Sequence, residues 1–408
     1  MIVEPRILDF EKMGFGMFVH FGIYSQLGKG EWAKASLNIS DEDYFPLAKT
    51  FCPKPDWARE LARTARDAGC RYITLTTRHH DGYSLYDTCG LNTYDSVHSC
   101  GRDLVREFVE ACREFGLKPF FYHTLLDWYH PDFQANFPGY LQYLRQSVEL
   151  LCTNYGPIGG LWFDGKWSRP NDDWQEDALY AMIRSHQPDA ILINNTGTDE
   201  QGALGNPELD SVTFECGRPQ PINLSCSPKY IASEMCQISG CHWGYARLDL
   251  NFKSMGQLIE DLACCRRFGS NLLLNVGPMG DGSLRLSDRA VFETLGTWVR
   301  IHEEALREPR PVACEIPGKP KDFLLRSGST YYLFVHDLLQ NADAGVSRPM
   351  PTDYHETLPF PEPVRRISWL DNGEELSFVQ RDGSLTVGTT TFPYGTDLVV
   401  RIAKIETV

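Results

Sequence analysis

The chain has 408 residues, enough for one large domain and a smaller one, and its 42% hydrophobic and 23% charged content is ordinary for globular proteins. A net charge of −15 at pH 7 repels phosphate backbones and anionic lipid, so nucleic acid and membrane surfaces are poor partners and a neutral substrate fits better. No stretch approaches 18 uninterrupted apolar residues, and the N-terminal MIVEPRILDFEKMGFGMF has no basic region ahead of a long apolar run, so neither a spanning helix nor a signal peptide is expected.

No fixed sequence period recurs. What recurs is a short apolar run ending in polar residues, followed by a helical stretch, the alternation of a parallel α/β architecture. The first run, FGMFVHFG, ends near His20, and WARELARTARDAG then reads as an amphipathic helix stopped by Gly69. The run RYITLTTRHHDG ends on His79 and His80; DLVREFVEACREFG is a helix closing on Gly116; LKPFFYHT leads to His123. YLQYLRQSVELLCTNYG is a long helix, GGLWFDG a strand carrying Asp164, DALYAMIRSHQ a helix, and DAILINN a strand ending on Asn194 and Asn195. SVTFECG with Glu215, YIASEMC with Glu234 and NLLLNVG with Asn275 complete about eight strands, while MGQLIEDLACCRRFG and SDRAVFETLGTWVRIHEEAL read as helices.

Eight strands with polar C-terminal ends suit a (β/α)₈-like TIM barrel, whose catalytic groups gather where the βα-loops assemble. An open dinucleotide-binding sheet would carry G-x-G-x-x-G after an early strand, and no such motif occurs. From about Pro309 the texture changes: PRPVACEIPGKP is a Pro-rich connector, and FLLRSG, YYLFVHD, RRISWL, LSFVQRDG, LTVGTTT and DLVVRIAKI read as short strands. The expected organisation is a catalytic barrel over 1–308 and a C-terminal antiparallel β-sandwich over 309–408. The 13 cysteines include no C-x-x-C and only one adjacent pair, Cys264–Cys265, within a predicted helix. Free thiols in a reducing cytoplasm are therefore expected.

Glycoside hydrolysis needs two carboxyl groups, one to attack the anomeric carbon or activate water and one to protonate the leaving oxygen. Asp164, after Leu161-Trp162-Phe163 and before Gly165, would face the barrel mouth; Glu215 and Glu234 end later strands, and either could stand across a substrate from it. His20, His79, His80 and His123 all terminate predicted strands, where they could bond sugar hydroxyls or ligate a metal. Metallohydrolase barrels typically open with H-x-H on the first strand, and Val19-His20-Phe21 lacks it, so hydroxyl recognition is favoured. Trp32, beside Glu31, and Trp243, in His242-Trp243-Gly244-Tyr245, lie in loops where they could wall a pocket against a sugar's apolar face.

These pieces together (MFVHFGIYS, GEW, LTTRHHDGYSLYDT, RDLVREFVEAC, LLDWYHPDF, GGLWFDG, EMCQISGCHWGYAR and SNLLLNVGPMGDG) span most of residues 10–305 and resemble the α-L-fucosidases of glycoside hydrolase family 29. The resemblance implies a barrel plus sandwich, exo-acting release of terminal α-L-fucose from fucosylated glycans by a retaining double displacement, and no metal or other cofactor. It places Asp164 at the nucleophile position, His20, Glu31, Trp32, His79, His80 and His123 at ring-binding positions, and Trp243 on the aromatic wall. The acid/base falls on Glu215, favoured, or on Glu234. One departure stands out: many members have Asn-Asp-Arg after the fifth strand, and this chain has Asn194-Asn195-Thr196. The competing readings are a related α-glycosidase for another sugar such as an α-galactoside, a metal-dependent barrel hydrolase, and a catalytically silent sugar-binding protein.

Overall fold

Eight parallel strands close on themselves in sequence order, β1 (Phe15–Val19), β2 (Tyr72–Arg78), β3 (Lys118–Thr124), β4 (Gly160–Asp164), β5 (Ile191–Asn194), β6 (Ser211–Glu215), β7 (Ala232–Gln237) and β8 (Asn271–Val276), with β8 pairing back to β1. The computed structural model describes residues 2–225, 227–340 and 354–408. Every strand is buried along nearly its whole length, as parallel strands covered on both faces must be. The expected barrel is thus the observed one. Among the described residues it is irregular in one respect: the β5–β6 and β6–β7 connections carry no helix.

A helix with Pro at its start, α1 (Pro5–Met13), precedes the barrel and was not anticipated. Its Ile7 and Phe10 belong to the same apolar cluster as Phe18, Tyr72, Phe120, Tyr122, Trp162, Ile191, Ile193, Ala232, Cys236 and Leu273. Because side chains alternate along a strand, residues of one parity fill the barrel and the others face its helices. Gly16 makes the lowest layer fit, since a Cβ there would run into the Tyr72 ring. At the same end Asp210, fully buried, receives Arg6 (3.0 Å), Lys229 (2.9 Å) and Arg184, tying α1 to the start of β6.

The predicted helices are present as α2 (Trp57–Asp67), α3 (Leu104–Glu114), α4 (Phe137–Thr153), α5 (Glu176–His186), α6 (Met255–Arg267) and α7 (Leu286–Ile301). Asp103 caps α3 through the Arg106 N–H, and Ser254 with Gln257 forms a capping box on α6.

The chain divides into two compact units, Met1–Lys253 with Ser270–Glu293 and Ser254–Gly269 with Thr294–Val408. The second holds two antiparallel sheets built from β9 (Arg310–Pro311), β10 (Phe323–Ser327), β11 (Thr330–Val335), β12 (Tyr354–Pro359), β13 (Val364–Trp369), β14 (Phe378–Arg381), β15 (Ser384–Thr389) and β16 (Arg401–Thr407). Their orders are β13-β16-β11-β10-β9 and β12-β15-β14, around a core that includes Leu333, Leu358, Trp369, Leu385 and Ile405. The connector is not wholly irregular, because Arg310–Pro311 pairs with β10, and β12 adds a strand that the alternation pattern did not reveal. The twelve described cysteines are all free thiols, and Cys226 lies outside the described residues.

Candidate active site

The C-terminal ends of the barrel strands surround a pocket of about 500 Å³. Its wall includes Asp164 and Glu215, the imidazoles of His20, His79 and His80, the hydroxyl-bearing Tyr122, the amide of Asn195, and the aromatics Phe18, Trp32, Trp162, Trp167 and Trp243. That volume falls in the range of roughly 300–1,000 Å³ usual for small-molecule sites.

Asp164 ends β4 with its side chain 15% exposed. Its Oδ2 accepts from Tyr122 Oη (2.9 Å), and its Oδ1 accepts from Asn195 Nδ2 (3.3 Å) and Trp167 Nε1 (3.3 Å). The His80 Nε2 lies 3.6 Å from Oδ2, beyond hydrogen-bonding range. Glu215 ends β6, and its Oε2 accepts from the same Asn195 amide at 2.8 Å. Burial pushes the Glu215 carboxyl above the usual carboxylate range and the neighbouring Asp164 charge adds to this, while the Asn195 bond opposes it.

The histidines are held as neutral rings. Burial lowers His20 to about 3. The Asn275 side chain donates to the Trp243 carbonyl (2.7 Å), so its oxygen accepts from His20 Nδ1 (2.7 Å) and the His20 Nε2 lone pair is left for a hydroxyl donor. Thr124 Oγ1 gives its proton to the Leu126 carbonyl and therefore accepts from His80 Nδ1 at 2.7 Å. His79 stacks on Tyr122, with ring centroids 5.6 Å apart and planes 12° off parallel. Burial lowers both His79 and His80 as well. Above them, Trp32 stacks on Trp167 at 5.8 Å and meets Trp128 edge-on at 5.2 Å.

Three predicted site residues are not on this wall. His123 is fully buried with Nδ1 on the Thr124 carbonyl (2.8 Å) and Nε2 on Ser147 of α4 (3.0 Å). The cause is strand parity: Tyr122 and Thr124 point into the barrel, so His123 between them points out to the helix layer. Glu234, fully buried, is the second correction. It pairs with Thr213, two residues below the Glu215–Cys236 pair, so it sits about 6.6 Å deeper in the barrel. There it accepts from Tyr72 Oη and from Trp162 Nε1 (3.0 Å), and burial raises it to about 7. Glu31 likewise lines no wall; its Oε2 accepts the Gly244 N–H at 2.6 Å and so fastens the loop that presents Trp243.

Phe18, Tyr122, Trp162 and Asn195 were missed. Phe18 and Trp162 carry a usable signal, since each lies two residues before His20 or Asp164 and faces the same way; for Tyr122 and Asn195 the facing is set by the pairing of β3 and β5 with β4. His79 and His80 both reach the pocket because β2 has already ended at Arg78, after a register shift between Thr76 and Arg78, and alternation no longer governs them.

A barrel with a pair of carboxyl groups joined by one amide, neutral imidazoles and tryptophans around one pocket is the architecture of a glycoside hydrolase. A family model described as alpha-L-fucosidase matches residues 6–304. The rat tissue alpha-L-fucosidase is 26% identical over 371 residues, covering 81% of this chain and 76% of the relative. The rat plasma alpha-L-fucosidase is 28% identical over 351 residues, covering 75% and 71%. Among solved structures, alpha-L-fucosidase isoenzyme 1 from Paenibacillus thiaminolyticus superposes with a TM-score of 0.83 at 27% identity over 99% of both chains. This chain belongs to the α-L-fucosidase family.

Proposed function

We propose that this protein is an exo-acting, retaining α-L-fucosidase in which Asp164 is the nucleophile and Glu215 the acid/base. The observation that carries this reading is the shared amide: Asn195 Nδ2 lies 3.3 Å from one Asp164 oxygen and 2.8 Å from one Glu215 oxygen. The two oxygens are therefore no farther apart than those lengths together. That favours the separation of about 5–5.5 Å of a double-displacement pair over the gap of about 6.5–9.5 Å that admits a water.

In the first step Asp164 attacks the anomeric carbon as the bond to the leaving oxygen breaks through an oxocarbenium-like transition state. Glu215, kept protonated by burial and by the Asp164 charge, gives its proton to that oxygen. In the second step water attacks the same carbon, Glu215 takes its proton, and Asp164 departs. His20, His79 and His80, being neutral, orient hydroxyls without competing for the acid's proton. The apolar Phe18, Trp162, Cys236 and Trp243 give the pocket a surface for a methyl-bearing sugar edge, which favours a 6-deoxy sugar over a galactoside. The free thiols fit a reducing compartment such as the cytoplasm.

The deciding assay is release of 4-nitrophenol from its α-L-fucoside by the wild type and Asp164→Ala, with azide added to the variant. Lost turnover restored by azide, with β-fucosyl azide as product, is the expected result. An inactive wild type, or an Asp164→Ala variant as active as the parent, would overturn the assignment.

A further inference from the structure

The Asn195 carboxamide donates to both Asp164 and Glu215, and its orientation is determined by the atoms behind it. Its Oδ1 accepts the Thr213 hydroxyl (2.9 Å) and the Gly197 backbone N–H (3.2 Å). A backbone N–H can only donate, so the oxygen end of the amide must face Gly197 and the Nδ2 end must face the carboxylates. Gly197 presents that N–H from a left-handed backbone (φ 78°), which glycine adopts without strain. The two Nδ2 hydrogens then match two acceptors, Asp164 Oδ1 and Glu215 Oε2.

We infer that Asn195 is a positioning residue that joins the nucleophile and the acid/base into one hydrogen-bonded unit and selects which Glu215 oxygen carries the transferable proton. The inference rests on the retaining reading above. The amide only donates, and the carbonyl oxygen of a protonated carboxyl is the better acceptor, so the Asn195 bond favours Oε2 as the carbonyl oxygen and Oε1 as the carrier of the acid proton. The neighbouring Thr196 hydroxyl is spent on the Glu200 carbonyl (2.6 Å). Among the described residues, no lysine or arginine lines the pocket. A guanidinium beside Glu215 would favour its ionised form; a carboxamide fixes its geometry while leaving burial and the Asp164 charge to keep it protonated.

The titratable groups facing this pair are Tyr122 of β3, His20 and His80 at the ends of β1 and β2, and Asp199 on the loop after β5. Cys236 of β7, Cys216 and Glu31 add to the surroundings of Glu215. None of them donates to Glu215 Oε2 in place of Asn195.

The test is the pH profile of kcat/KM on 4-nitrophenyl α-L-fucoside for the wild type, Asn195→Ala and Thr213→Val, with thermal unfolding confirming each fold. Asn195→Ala should lower kcat/KM on the order of 100-fold, as for a small misplacement of reacting groups. It should also move the basic limb, set by Glu215, to higher pH, because that carboxyl loses a donor that favoured its ionised form. Thr213→Val touches neither carboxylate yet releases the amide, so it should shift the basic limb the same way by less. An active wild type whose basic limb stays fixed in both folded variants overturns the inference alone. A wild type without fucosidase turnover removes the retaining reading and the inference with it.

Discussion

Replacing Glu215 with Gln separates the acid/base from its deeper neighbour Glu234. The Gln carbonyl can keep the 2.8 Å bond from Asn195, so shape and anchoring survive and only the acid proton is lost. General acid catalysis contributes about 10²–10⁴-fold, so about 3–5 kcal/mol of barrier should return for a poor leaving group. For an activated aryl group that departs without protonation, the first step should be nearly unaffected. At Glu234 the same change keeps one acceptor for Trp162 Nε1 and offers an N–H to Tyr72 Oη, so at most about 1 kcal/mol, near fivefold, is at stake. The assay compares kcat/KM of Glu215→Gln and Glu234→Gln on 2,4-dinitrophenyl and 4-methylumbelliferyl α-L-fucosides across pH. The wild-type basic limb reports loss of the acid proton. Since the Glu215 carboxyl is raised, activity persists below its pKa and falls as pH rises through it, later than for an ordinary carboxyl. A basic limb that stays in Glu215→Gln and vanishes in Glu234→Gln would refute the reasoning.

Two further outcomes test the structure around the site. Asp210→Asn strips the counter-charge from Arg6, Arg184 and Lys229 and should cost roughly 3–5 kcal/mol, read as a lower urea midpoint with unchanged slope. Burial works to raise Asp210, but Arg184, Arg6 and Lys229 outweigh it and hold the group below its usual value. Its contribution is therefore present above the unfolded pKa near ~3.9 and lost as pH falls through the folded one, so the variant and wild type should converge in strong acid. His123→Ala should lower stability by about 1–3 kcal/mol through the lost imidazole packing and the Thr124 carbonyl deprived of its ring N–H, Ser147 keeping Tyr86 and Arg78, yet change kcat/KM less than about tenfold. A large rise in KM would return His123 to the sugar pocket.

The barrel was legible because each strand ends in a polar group and each intervening helix closes on a recognisable stop, as at Gly69 and Gly116. Even β6, flanked by helix-free loops, and β7, preceded by one, showed themselves through short apolar runs. What the chain order alone did not convey was parity. His123 and Tyr122 are adjacent letters at one strand end, and a strand makes one a pocket wall and the other a helix contact. Depth was hidden in the same way: Glu215 and Glu234 both sit near strand ends, and only the register of β6 on β7 shows one a layer beneath the other. Aromatics such as Phe18 and Trp162 belong both to the barrel's apolar cluster and to the pocket lining, core below and floor above. The α1 helix escaped notice because its buried side, Ile7, Phe10 and Glu11, is too short and too polar to show a clear period.

The missing side chain at Gly16 sets the depth of the cavity from far below it. Tyr72 occupies the vacated space and props Glu234; Glu234 in turn holds the indole N–H of Trp162, and the Trp162 ring lines the pocket. The pillar under the active site is thus three side chains tall and stands on a hydrogen atom. A methyl group at position 16 would tilt its base, and the tilt would surface at the other end as a changed fit for the ring, in a residue that never meets the substrate.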